Sequence, residues 1–202
     1  MNAIHLEVLV EEPSMEAALD VLLAKLVPRA SFEIHAYHGK SDLLAKLPAR
    51  LAGYAAWITD EYRILVVVDR DVEDCRALKR QLDAAANRAG LAPRGTGSAA
   101  KVRVISRIAI EELEAWFFGD WTAVRAAYPA VPVSVPTKAA FRDPDAIKGG
   151  TWEAFERILQ KAGYFPGRLA KIEAARAIAP HMEPARNASA SFRALRDALA
   201  RL

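Results

Sequence analysis

Apolar and polar positions alternate between two periods along the first 118 residues. Ala3–Val10 (AIHLEVLV) is β-branched and apolar, breaks off at Glu11-Glu12-Pro13, and predicts a strand. Ser14 is then in place to cap a helix whose apolar positions, Met15, Ala18, Leu19, Leu22, Leu23 and Leu26, recur at helical spacing until Pro28. Ser31–Ala36 predicts a second short strand. Ser41 opens another helix with Leu43, Leu44, Leu47, Leu51 and Tyr54 on one face, bent or divided by Pro48. Arg63–Val68 (RILVVV) is apolar without interruption, as in a parallel strand covered on both faces. A helix is expected from Val72 to Ala89, stopped by Gly90. A loop over 93–98, a strand over Val102–Ile108 and a helix around Glu111–Phe118 follow.

Strands and helices in strict alternation imply right-handed crossovers, so the expected fold is α/β: a parallel sheet of about four strands with helices on both faces. After Trp121 the pattern changes. Residues 129–150 carry Pro129, Pro132, Pro136 and Pro144 and read as a connector. The remainder predicts only helices, at Trp152–Ala162, Pro166–Ile178 and Ser191–Leu202. Two parts are expected, an α/β domain over 1–120 and a helical part over 121–202 packed on it. No internal repeat or low-complexity tract interrupts them.

Composition narrows the class. With 52% hydrophobic residues in 202, the chain can bury a core, and a wholly disordered protein is excluded. A single cysteine excludes an internal disulfide and a cysteine-based zinc site. No apolar run approaches the roughly 18 residues a membrane span needs, and the acidic N-terminus does not resemble a signal peptide. A cytoplasmic protein without a membrane partner is expected. The net charge of +3 is uneven: residues 1–92 carry 11 Lys and Arg against 14 Asp and Glu, residues 93–202 carry 17 against 11. An acidic half joined to a basic half suits a metal site beside a phosphate-binding surface, and equally an uneven but idle surface.

Carboxylates fall where a parallel sheet places its ligands, past the carboxyl ends of the strands. Glu11 follows the first strand, and Asp69-Arg70-Asp71 follows the third. Two acids at a spacing of two point the same way and can share one ion, and hard oxygen donors of this kind suit Mg²⁺ or Mn²⁺. Asp71 is equally well placed to cap the helix at Val72. Glu111 and Glu114, three apart, are expected on one face at the start of a helix near the same edge. Lys40, Ser41, Arg70, Lys101, Arg107 and Lys148 are the candidate phosphate or nucleic-acid contacts, each also readable as an ordinary surface charge.

Several other motifs carry less. Gly39-Lys40-Ser41 ends like a phosphate-binding loop, but Ile34 stands where its upstream glycine belongs. His35 and His38 fall on opposite faces of a strand and do not read as a zinc pair. Cys75 reads as a packing residue. Asn187, Ser189 and Ser191 precede a helix whose N-terminus either holds a phosphate or is simply capped, the second being the commoner case. Trp116, Phe117, Phe118 and Trp121 read as a weld between the helical part and the sheet.

Glu at the end of the first strand with D-x-D after a later one resembles the Toprim fold of topoisomerases, bacterial primases and overcoming-lysogenization-defect nucleases. More closely, LVEEPS, GKSDLL, LVVVDRDVEDC, RIAIEELEAWFFGD and NASASF resemble a bacterial Toprim-like family of unknown function, whose members are often encoded beside an AAA or SMC-like ATPase. The resemblance implies a Mg²⁺- or Mn²⁺-dependent nuclease of a defence or repair module, with Glu11, Asp69 and Asp71 as metal ligands and Glu11, Glu111 or Glu114 assisting proton transfer. It implies nucleic acid, DNA or RNA, as substrate, an ATPase as partner, and accommodates a homo-oligomer. The related nucleases follow the first Glu with Gly and place an acid four positions on, where this chain has Glu12 and Met15. The ligands of a second metal are therefore open, with Glu111 or Glu114 as substitutes. Two alternatives stand beside this reading: a non-catalytic adaptor subunit of an ATPase, and a small-molecule phosphohydrolase using the same acids.

Overall fold

The computed structural model describes residues 4–71, 73–94 and 102–202. Four strands form one parallel sheet: β1 (His5–Val10), β2 (Ser31–Ala36), β3 (Tyr62–Asp69) and β4 (Val104–Ala109), in the order β2-β1-β3-β4. The two central strands are the two most continuously apolar, since side chains on both of their faces are covered. The fold is therefore the α/β sheet that the alternating periods imply.

Four helices connect or follow these strands: α1 (Pro13–Leu26), α2 (Lys40–Ala55), α3 (Cys75–Arg88) and α4 (Glu114–Gly119). The rest of the chain forms α5 (Trp121–Ala127), three short 3₁₀ turns between 135 and 146, α6 (Thr151–Lys161), α7 (Lys171–Ile178) and α8 (Ala190–Leu199). On one face of the sheet, α2 and α3 bury Leu43, Leu47, Leu51, Leu78 and Leu82 against Leu9, Ile64, Val66 and Val68. On the other, α1 and the C-terminal helices share a single larger core with Leu6, Val8, Val10, Leu65 and Val67. Trp116, Phe117, Phe118 and Trp121 lie inside it: the Trp116 and Phe192 rings meet edge-on at 5.3 Å, and Phe118 stacks on Phe141 at 5.4 Å. Lys25 adds a polar tie, donating from the end of α1 to the carbonyls of Pro180 and Met182 at 2.7 and 2.8 Å.

Several local expectations are corrected by the backbone. α1 is capped by Glu12, extended, with Pro13 at the first helical position, so Ser14 lies inside the helix. α2 begins after Gly39 (φ 95°) and remains one helix across Pro48. Pro48 faces solvent, where water can replace the missing N–H, while the buried Leu43–Leu47–Leu51 stripe holds the helix to the sheet. α3 starts at Cys75, and its cap is Asp74, whose carboxylate accepts the Ala77 amide at 2.7 Å. Asp71 sits in a left-handed turn (φ 49°) and is not the cap of α3, and Val72 lies outside the described residues. Most of the expected 93–98 loop also lies outside them. Among the C-terminal helices, α7 begins at Lys171 and not at Pro166.

Candidate metal centre

β3 runs two residues beyond the last residue of β1 in register, Val10 opposite Val67, so Asp69 projects past the point where the first strand leaves the sheet. The Asp69 amide, deprived of a carbonyl partner on that side, donates to the Glu11 side chain at 3.2 Å. The two sheet-edge acids are thereby locked together, and both are buried. Glu114, the first residue of α4, is buried as well. Two oxygens in this group, Asp69 Oδ1 and Glu114 Oε2, have no hydrogen-bond donor among the described residues. Buried carboxylate oxygens are almost always paired, so an orphaned pair at a strand edge calls for a partner of another kind.

The electrostatics agree. Burial pushes the Glu11 carboxyl up from 4.5 to about 7, only partly opposed by the Asp69 amide and Lys40. Burial likewise pushes Glu114 up to about 7, with Lys171 opposing and Glu112 adding to it. Asp69 is raised well above the usual range, first by burial and then by the charges of Glu11, Glu114, Glu12 and Glu112. Without a counter-charge these acids hold protons at a pH where carboxylates are normally ionised. A divalent cation bound to hard oxygen ligands is the natural alternative to those protons.

Two of the expected residues stand differently. Asp71 is half-exposed and paired with Lys40, whose Nζ lies 2.6 Å from its Oδ2 and 3.3 Å from Glu73. β3 ends at Asp69, so the strand alternation that would aim Asp69 and Asp71 the same way no longer applies at 71. Glu111 adopts a left-handed conformation (φ 62°) ahead of α4 and pairs with Arg70. It does not share a helical face with Glu114. Glu112 turns towards α6 instead, accepting the Thr151 hydroxyl and the Trp152 amide at 2.9 and 3.0 Å.

The expected basic contacts are scattered. Lys40 is buried in its ion pairs, and Ser41 is exposed in the first turn of α2. Arg107 points to the other side, donating to the Ala194 carbonyl of α8 at 3.1 Å, and acts as a strut. Lys148 is exposed in the turn before α6, and Lys101 lies outside the described residues. At the NASASF segment, the N-terminus of α8 is already filled. Ser189 caps it, and the Asp145 carboxylate accepts the Ser191 amide and the Ser189 hydroxyl at 2.9 and 2.8 Å. The capped reading of that segment holds.

One basic residue that sequence reasoning missed stands at the cluster. Lys171 Nζ is 3.8 Å from Glu12, and the charges of Glu114, Glu12, Glu112 and Asp69 outweigh burial and raise its pKa. Its stem crosses the Trp152 ring, with Nζ 5.5 Å from the centroid, and Arg168 lies 5.9 Å from the same ring. Together with Arg176 they line a groove of about 720 Å³ that opens beside Glu12 and Ser14. The excess of basic residues after position 92 was the available signal, but nothing in the spacing singles out Lys171.

A family model described as a domain of unknown function (DUF4276) matches residues 10–200. The chain belongs to that family. No curated protein and no solved structure matches it. The match takes in both the carboxylate edge and the helices that bring Lys171 to it, so this DUF4276 member carries the whole candidate centre within the family's span. No helix among the described residues is long and apolar enough to cross a membrane.

Proposed function

We propose that this chain is a Mg²⁺- or Mn²⁺-dependent enzyme that cleaves phosphodiester bonds in nucleic acid. The observation that carries the reading is the orphaned pair of buried carboxylate oxygens on Asp69 and Glu114, held beside Glu11 at the carboxyl edge of a parallel sheet. The donor set, all carboxylate oxygen, fits a hard divalent ion. As they stand, the donor oxygens of Glu11, Asp69 and Glu114 do not all lie within 4.8 Å of one another, so these three would hold it by drawing together around the ion, with Asp71 fixed nearby by Lys40. A bound ion of this kind stabilises charge on the entering and leaving oxygens of a phosphodiester. Lys171 offers an ammonium group to the phosphate, and Arg168 and Arg176 in the adjoining groove suit a polyanionic backbone. The resemblance of the Glu11 and Asp69–Asp71 segments to Toprim-like nucleases supports the same chemistry.

Calorimetric titration of Mn²⁺ and Mg²⁺ into the full chain, wild type against Asp69→Asn, tests the proposal, followed by cleavage of plasmid, single-stranded DNA and RNA. Saturable binding that the variant loses, with cleavage that depends on the same residue, is expected. Equal binding by both proteins, or none at millimolar metal, would overturn it.

A further inference from the structure

A second group of metal-ligand side chains lies in the middle of the sheet, on the face covered by α2. β1 and β2 pair in register with Glu7 opposite Glu33, His5 opposite Ser31 and Leu9 opposite His35. Strand alternation therefore puts His5, Glu7, Glu33 and His35 on one face. His35 Nε2 lies 2.8 Å from Glu7 Oε2, and His5 Nε2 lies 3.4 Å from Glu7 Oε1. A donor atom from each of Glu7, Glu33 and His35 can be chosen so that all lie within 4.8 Å of one another.

We infer that Glu7, Glu33 and His35 form a site for a borderline divalent transition-metal ion, Zn²⁺ before others, with His5 on the other oxygen of Glu7. Imidazole nitrogen with carboxylate oxygens is ligand chemistry of zinc, and donors bound to one ion at about 2.0–2.1 Å in a tetrahedron stand little more than 3 Å apart; the His35–Glu7 pair, at 2.8 Å, is near that spacing, and Glu33 stands within 4.8 Å of both. Two further features favour an ion over a simple hydrogen-bond network. Glu7 and Glu33 are directly opposed across the strand pair, where two like charges are unfavourable unless a cation joins them. Glu7 is a buried carboxylate on a central strand, oriented by the Tyr54 hydroxyl, which donates to it at 2.7 Å.

The other ring nitrogen of His5 is fixed by Ser31 Oγ at 2.8 Å, and Tyr54 is itself held by Arg50 at 3.0 Å, the kind of outer support that orients metal ligands. An open groove of about 410 Å³ over Glu7, Glu33 and His35 gives solvent access. Four residues of strand, roughly 13 Å at about 3.3 Å each, separate Glu7 from Glu11, so this site does not depend on the strand-edge centre.

The test is a calorimetric titration of Zn²⁺ into chelator-treated full chain, repeated with His35→Ala, Glu33→Gln and Asp69→Asn and with Co²⁺ absorption as a spectroscopic readout of imidazole ligation. Glu33 is exposed, so its replacement does not threaten folding. A Zn²⁺ site whose Co²⁺ spectrum reports imidazole ligation is expected, weakened at least about 10–100-fold in His35→Ala and Glu33→Gln and retained in Asp69→Asn, whatever ion the strand-edge acids bind besides. Equal affinity in wild type, His35→Ala and Glu33→Gln, no saturable binding up to millimolar Zn²⁺, or binding lost only in Asp69→Asn would each overturn the inference.

Discussion

Replacing Asp69 with Asn should leave the metal-free protein at least as stable as the wild type at neutral pH, although Asp69 is buried. A carboxyl moved from 4.5 to about 7, as Glu11 and Glu114 are, binds its proton about 3 kcal/mol more tightly in the folded chain than in the unfolded one, at about 1.4 kcal/mol per pH unit. Both groups are buried, so solvent screening takes little from that figure. The sign follows from the direction of the shift. With the folded pKa above the unfolded one, the stabilisation is fully present below 4.5 and is lost as pH rises to about 7. One group alone gives about 3 kcal/mol and the two together about 6, so the metal-free chain should lose between about 3 and 6 kcal/mol across that window.

A divalent ion acts in the opposite sense: at a hundred times its dissociation constant it restores about 2.7 kcal/mol. Urea unfolding of the full chain from about pH 5 to about pH 8, in chelator and in Mg²⁺ or Mn²⁺, measures both effects. The wild type should weaken with rising pH in chelator and regain stability with metal. Asp69→Asn removes a buried carboxyl that is itself raised well above its ordinary value, and should flatten the profile by that group's share and abolish the response to metal. A metal-free profile that is flat or rises with pH refutes the reasoning, as does an Asn variant that keeps the metal response.

Three further outcomes are expected. Lys171→Ala should weaken nucleic-acid binding and lower the slope of log affinity against log salt by about 1 while sparing Mn²⁺ affinity; an unchanged slope would remove Lys171 from the phosphate path. Asp120, with its carboxylate fully enclosed, accepts the Glu183 amide at 2.8 Å and both Arg186 nitrogens at 2.7 and 2.9 Å, so Asp120→Ala should cost about 3 kcal/mol in urea unfolding. Gly119→Ala should destabilise by at least about 2 kcal/mol and weaken Mn²⁺ binding, since a methyl group there would meet Asn187 Oδ1 at 2.1 Å and the Ser189 amide at 2.8 Å; a variant that melts with the wild type would show that the segment yields.

What the sequence disclosed about this site follows the range of the interactions that make it. Glu11 and Asp69 were legible because the end of an apolar strand fixes where the next residue stands, and the sheet then aligns strands far apart in sequence. Asp71 and Glu111 were not. A left-handed residue leaves no mark in hydrophobic periodicity, and both positions are non-glycine, so the turn that redirects their carboxylates to Lys40 and Arg70 was hidden. The His5–Glu7–Glu33–His35 group was missed for a different reason. In sequence His35 pairs most readily with His38, which lies beyond the end of β2, whereas its partner Glu7 lies across the ladder on β1.

The helical half completes the centre and is not an appendage to it. Glu114 opens α4, and α4 is fastened at its far end by the 187–189 segment, where Asn187 donates to the Trp116 carbonyl at 2.9 Å and the Ala188 amide to that of Gly119 at 2.8 Å. That segment is in turn held by Asp145, from the connector, and the connector leads into α6, whose Thr151 hydroxyl and Trp152 amide donate to Glu112. Lys171 reaches the same carboxylates from α7, which packs on α1. Lys40, Asp71 and Glu12 act on the strand-edge acids from the first half of the chain, and Lys171 and the contacts that fasten α4 come from the second. A fragment ending near residue 120 would keep the acids yet lose Lys171 and the 145 and 187–189 segments that position Glu114, so the geometry of this edge is a property of the whole fold.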